Sequence, residues 1–296
     1  MEWALGAPDF QSLKLCTNPW QEALLKKTPE IHQSLEELAG PINFTRLYFG
    51  QEFCERDLPS TGQLLKAVEK AQNQRMDFTL VTPYVTEEGL KKLEVLLREL
   101  ATLTQDPEVV VNDWGVLNLL HKKFPALEPV LGRLLNKTWR DPRMTQVPAE
   151  NQEPFRRCSL AGPHMQRLLR QFRVSRVELD YPFQGLDESL PDWGFTSSLY
   201  LPYGCITTGR ICLLGSWGRP AAEKFNPGAK NCSQKCKSYW LELKDASGQV
   251  EQGPDWRIVQ RGNAVFYVQL RQCLRKGLTQ AKSLGVDRVV FQPRPL

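Results

Sequence analysis

A chain of 296 residues with 41% hydrophobic and 24% charged residues has the make-up of a globular protein, one large α/β domain or two small ones. Its formal charge of +5 is spread along the sequence, so charge alone gives no basic stripe of the kind that nucleic-acid binders carry. No run of eighteen apolar residues predicts a membrane-spanning helix, and the start, Met1-Glu2-Trp3-Ala4-Leu5-Gly6, lacks the basic and apolar regions of a signal peptide. A cytoplasmic address is the expectation, with the three Asn-X-Ser/Thr sequons read as chance matches.

β-rich runs alternate with helical ones in chain order. Asn43 to Gly50 is the first clear strand, and it leads into a loop carrying Cys54. Ser60 and Gln63 have capping-box spacing and predict a helix to about Gln74. Asp77–Thr82 is the next strand. A strongly periodic helix follows from Thr86 to about Leu103, with Leu90, Leu93, Leu96, Leu97 and Leu100 on one face. A short strand at Glu108–Val111 precedes Asp113-Trp114-Gly115 and a helix over Val116–Lys123, and a strand over Pro129–Leu135 comes next. The polar, proline-bearing stretch from Thr138 to about Glu153 reads as a surface loop. Beyond it the pattern predicts a helix near His164–Phe172, a strand at Arg176–Asp180 and β-like sequence over Leu199–Cys212. A Gly/Pro-bearing loop over Gly215–Asn231 separates this from a strand at Tyr239–Leu243. A helix over Gln269–Ser283 and a strand at Asp287–Phe291 complete the chain. At least six βα-like units predict a TIM-barrel-like (β/α) barrel, incomplete or irregular, in a single domain over 1–296. The cysteine-bearing loop region falls at about 199–240.

Eight cysteines are many for a reducing compartment, where disulfides are disfavoured and thiols are either buried apolar residues or metal and redox groups. Cys232-Ser233-Gln234-Lys235-Cys236 is the tightest pair, with Cys212 twenty residues upstream in a bendable region. Cys54, alone on a loop after a strand, is a distant candidate partner, because function gathers at the C-terminal ends of barrel strands. Spacing alone leaves metal binding and coincidence open, and it leaves Cys205 as a substitute for Cys212. No C-x2-C knuckle of the zinc or thioredoxin kind is present. A four-iron cluster takes four thiolates, commonly from segments far apart in sequence. Cys16, Cys158 and Cys273 read as buried thiols.

Weaker candidates compete with structural readings. Asp113 lines a pocket or caps the helix after it. Glu178 and Asp180, on one face of a strand, are an acid–base pair or, as the more ordinary reading, partners of Arg176 or Arg173. Arg210 stands near a cluster or in solvent, and Arg133 with Arg143 reads as an anion-binding pair. His32, His121 and His164 lack the neighbours that hydrolysis needs, and no HExxH motif occurs.

The block Leu47-Tyr48-Phe49-Gly50-Gln51-Glu52-Phe53-Cys54, followed by Asp113-Trp114-Gly115-Val116-Leu117, Cys212 and Cys232-x3-Cys236, resembles the peptidase U-32 family, and within it the short UbiV-like branch. The likeness runs from about residue 43 to the C-terminal end. It implies a barrel-like α/β fold and a [4Fe-4S] cluster held by Cys54, Cys212, Cys232 and Cys236. It further implies oxygen-independent hydroxylation, as in ubiquinone biosynthesis, beside a UbiU-like partner of the same family, with a small molecule or an RNA base as substrate. The family name offers a collagenase-like peptidase as the alternative, and a non-catalytic iron–sulfur subunit is another.

Overall fold

The structure, a computed structural model, describes residues 1–13, 35–104, 107–224, 232, 234–244, 247–248, 252–253 and 255–294. Cys16 and His32 lie outside the described residues. In chain order the elements are β1 (Glu2–Ala7), α1 (Phe10–Leu13), β2 (Phe44–Gly50), α2 (Thr61–Asn73), β3 (Asp77–Thr82), α3 (Glu87–Leu103), β4 (Glu108–Val111), α4 (Trp114–Lys123), β5 (Glu128–Leu131), α5 (Glu153–Arg156), α6 (Pro163–Gln171), β6 (Arg176–Asp180), β7 (Thr196–Leu201), β8 (Tyr203–Thr208), β9 (Leu241–Glu242), β10 (Gln252–Gly253), β11 (Trp256–Arg261), β12 (Ala264–Gln269), α7 (Arg271–Ser283) and β13 (Arg288–Phe291).

Local chemistry explains the best-defined starts. At α2, Ser60 accepts from the Gln63 amide while the Gln63 side chain accepts from the Ser60 amide, a complete capping box. Thr86 caps α3 through the Gly89 amide. Asp113 caps α4, accepting from the amides of Gly115 and Val116, which decides for the capping role of that residue.

Eight parallel strands close a barrel in the order β1-β13-β7-β6-β5-β4-β3-β2. Closure joins the two ends of the chain, with Trp3 opposite Val289 and Leu5 opposite Phe291. Because side chains alternate along a strand, every second residue points inward. The middle layer holds Ala4, Tyr48, Val81, Val110, Val130, Tyr200 and Val290, and Glu178 takes the β6 position of that layer. Below it lies a charged layer. Arg288 donates to Glu108 at 2.6 and 3.0 Å and to Glu2 at 2.6 Å, Arg46 pairs with Glu2 and Asp77, and Arg176 pairs with Asp287. The outward faces of the strands pack against the helices in the main apolar core.

The barrel is regular through β5 and departs after it. A 3-10 turn, not an α-helix, links β6 to β7. Between β7 and α7 an antiparallel sheet is inserted, ordered β10-β11-β12-β8, with β9 on β11. The strand expected over Pro129–Leu135 stops at Leu131, because a side chain at Gly132 would strike Asn112 and Arg133 turns into the barrel mouth. The β-like stretch expected over Leu199–Cys212 is two strands of different sheets, divided at Pro202, and the strand expected over Tyr239–Leu243 shortens to Leu241–Glu242.

Candidate metal centre

The mouth of the barrel is filled. Arg133, at the end of β5, has no exposed surface and directs all its N–H groups inward. It meets Glu52 at 2.8 and 2.7 Å, Asp180 at 2.7 Å, the Tyr203 carbonyl at 2.7 Å and Gln292 at 3.0 Å. Its guanidinium also lies over the Tyr200 ring, 4.1 Å from the centroid. Arg140 adds an ion pair to Asp180 at 3.0 Å without hydrogen-bond alignment. The expected arginine pair therefore does not exist, since Arg143 is held at the surface by Asp141. The expected partners of the carboxylates change as well. Asp180 faces Arg133 and Arg140, and Glu178 accepts from Tyr48 at 2.9 Å. The space left there, about 10 Å³ to a water-sized sphere, is that of a single water.

An open cavity, with a volume of about 70 Å³ to a water-sized sphere, lies to one side of that mouth, between the loop after β2 and the inserted sheet. Its wall carries Cys54, Cys212, Cys232 and Cys236, the four residues selected from the sequence. They arrive on three separate segments. Gly50 ends β2 with φ 124° and its Cα passes so close to Val81 O that a Cβ there would stand 2.3 Å away, so the chain turns sharply toward Cys54. Cys212 follows β8 by four residues. Cys232 and Cys236 flank Gln234, which holds a left-handed φ of 51°. The Gln234 amide donates to Asp57 at 3.2 Å, and Lys237 forms an ion pair with the same carboxylate at 2.7 Å, so the C-x3-C segment is tied to the Cys54 loop.

Backbone donors point at sulfur. The Gly215 amide is 3.1 Å from Cys212 Sγ, and the Arg56 amide does the same for Cys54. Burial pushes the Cys54 thiol up to about 11, with the thiols of Cys236 and Cys232 adding to it against the Arg56 amide. Burial, then Cys212, raises Cys236 to about 11, and burial raises Cys212 in the same direction, with Cys232 contributing. Ionisation of Cys54, Cys212 and Cys236 is thus opposed by burial and by neighbouring sulfur, and positive charge among them would favour it. Arg56, Arg210 and Arg261 line the same cavity, and none is in an ion pair with a carboxylate among the described residues. Arg210 lies over the Tyr84 ring, 5.5 Å from its centroid, and donates to Val85 O at 3.2 Å.

Cys205 belongs elsewhere. It is buried in β8 with its amide donating to Asp180 at 3.2 Å, and burial raises its thiol to about 12. Cys158 is buried near Asp187 on the opposite flank, and Cys273 sits on α7. Among the described residues, no group of three or more Cys, His, Asp or Glu side chains is placed to hold a metal ion. The four cysteines line the cavity wall. No described helix is long and apolar enough to cross a membrane.

Sequence reasoning missed the residues that hold this wall in place: Asp57, Arg261 and Asn263. The last two flank Gly262 in a two-residue hairpin turn whose Gly-Asn pair between alternating β residues was the available signal.

No protein-family model matches the chain, and no curated protein matches it. Among solved structures, the U32 peptidase Mk0906 is similar over 100% of this chain and 94% of its own length, with 9% sequence identity and a TM-score of 0.42.

Proposed function

We propose that Cys54, Cys212, Cys232 and Cys236 hold a [4Fe-4S] cluster, and that the protein is an iron–sulfur component of oxygen-independent hydroxylation of the UbiV-like, U-32 kind, acting beside a UbiU-like partner. One observation carries this reading: four cysteines from three distant segments line one cavity, while Cys158, Cys205 and Cys273 stay out of it. The donor set fits the group. Four thiolates on a single zinc, with Zn–S of about 2.3 Å, would bring the sulfurs within about 4 Å of one another. A four-iron cluster gives each thiolate its own iron.

The cluster would supply one-electron chemistry at a potential set by burial, charge and hydrogen bonds to sulfur. The chain's own groups prepare that setting. The Gly215 and Arg56 amides stabilise negative charge on Cys212 and Cys54. Arg56, Arg210 and Arg261 offset the net negative charge of a thiolate-bound centre. The ion-paired Arg133 seals the barrel mouth, so substrate or partner approaches from the cavity side. Among the described residues, no histidine stands at the cavity to serve a hydrolytic reading. His121 stacks edge-on with Phe172 and His164 bonds Arg167, and neither lines the cavity.

Anaerobic purification is the test. It should give a brown protein with about four irons per chain and an electron paramagnetic resonance signal on reduction. Cys212→Ala should lose most of the iron and Cys205→Ala should keep it. A colourless protein that takes up zinc and no iron would sink the proposal.

A further inference from the structure

The β11–β12 hairpin tip reaches all three segments that bring cysteines to the cavity. Asn263 Nδ2 is 2.7 Å from Phe53 O, the residue before Cys54, and 2.7 Å from Gly209 O, three residues before Cys212. It is also 2.7 Å from the Tyr84 hydroxyl, which itself donates to Gly209 O at 2.7 Å. The Asn263 carbonyl accepts from the Gly209 amide at 3.1 Å and from the Thr208 hydroxyl at 3.3 Å. On the other side of the turn, Arg261 Nε donates to Cys236 O at 2.7 Å, and its Nη2 reaches Lys237 O at 3.4 Å. Arg261 is 6% exposed, so these carbonyls are its partners in place of water.

We infer that Arg261 and Asn263 are positioning residues: the hairpin tip is a template that fixes the spacing of the Cys54, Cys212 and Cys236 segments before any metal arrives. The physical reason lies in the nature of those segments. Each is a loop, and loops left to themselves sample many arrangements. A two-residue hairpin turn is rigid by comparison. Gly262 supplies the positive φ of 59° at its first central position, and the six-residue register of β11 on β12 anchors both flanks. An amide with two hydrogens facing three acceptors at equal distance concentrates the whole clasp on one side chain. Loss of that side chain frees two of the three segments at once, whereas loss of any one acceptor frees one.

This inference rests on the cluster reading for its purpose but not for its test. The readout is cysteine labelling by a maleimide in the metal-free full-length protein, followed residue by residue by mass spectrometry. Asn263→Ala should speed labelling of Cys54 and Cys212 by about tenfold, the scale expected when local hydrogen bonds that restrain an opening are lost. Cys205 and Cys158, buried away from the clasp, should label at the wild-type rate and so report that the barrel is intact. Asn263→Asp keeps the shape and replaces the donor by an acceptor facing three oxygens, so it should behave like the alanine variant. Tyr84→Phe removes the bridging hydroxyl together with its contact to Thr208 and should give a smaller increase centred on Cys212. Anaerobic reconstitution should then give substoichiometric iron and a broadened paramagnetic signal in Asn263→Ala, with Arg261→Lys recovering more iron than Arg261→Ala. Wild-type labelling and wild-type iron in Asn263→Ala and Asn263→Asp would overturn the template. Altered labelling with no iron bound even by the wild type would overturn the cluster and leave the template standing.

Discussion

Glu178 shows how a single residue can tune this molecule from inside the barrel. It is wholly buried, its Oε1 accepts from Tyr48, and its Oε2 and the nearby Tyr200 hydroxyl have no hydrogen-bond partner. Burial raises its carboxyl from 4.5 to about 7, against the opposing pull of Arg288. The folded protein therefore holds this proton more tightly than the unfolded chain does. The resulting stability is fully present below pH 4.5 and is lost as pH rises from there through about 7. Glutamine keeps the oxygen that Tyr48 needs, carries no charge and brings an amide that can donate to the unpartnered Tyr200. Glu178→Gln should match the wild type near pH 4.5 and exceed it at pH 8, by on the order of 3 kcal/mol. Urea unfolding across that pH range checks this, and parallel pH profiles for the two proteins would refute it.

At the scale of elements, Arg133 joins the ends of β5, β2 and β6 with β8 and the residue after β13. Removing it leaves, among the described residues, the buried Glu52 without a cation and Asp180 with Arg140 alone. Arg133→Ala should lower stability by about 3–5 kcal/mol, the cost of breaking a buried ion pair from one side. Arg133→Lys should recover little, because one ammonium cannot serve both Glu52 oxygens and Asp180 together. Denaturant midpoints measure both, and a lysine variant as stable as the wild type would contradict the fork geometry.

The elements also show what could be read in advance. The α2 and α3 starts were legible because caps are local: Ser60 with Gln63, and Thr86 with Gly89, act within one turn. The four cysteines singled out from the sequence, Cys54, Cys212, Cys232 and Cys236, all line one cavity. The first barrel strand was not. Glu-Trp-Ala-Leu-Gly-Ala has weak β propensity, and it is a strand because β2 and β13 flank it on both sides. The mouth of the barrel was misread for a similar reason. Nothing near Gly132-Arg133 announces carboxylates 81 and 47 residues away, and only closure of the barrel brings Glu52 and Asp180 to it.

For the molecule as a whole, the apolar core and the thiol site are separate structures. The large core cluster lies between strands and helices, and the barrel interior has its own layers of packed and ion-paired side chains. The four cysteines are only partly buried and stand on loops outside both. A metal that organises a site of this kind adds stability by mass action on an already folded chain. That differs from a zinc finger, whose fold exists only with its metal. Replacing Cys54, Cys212, Cys232 and Cys236 together by serine should therefore leave a folded barrel, with a circular dichroism spectrum and melting temperature close to those of the metal-free wild type. The metal-loaded wild type should melt higher than either. An unfolded quadruple variant would mean that the cysteine segments are part of what the barrel needs to close. In that case the inserted sheet, which reaches the barrel through β8 and α7, would have to be counted as a condition of the fold and not as an addition to it.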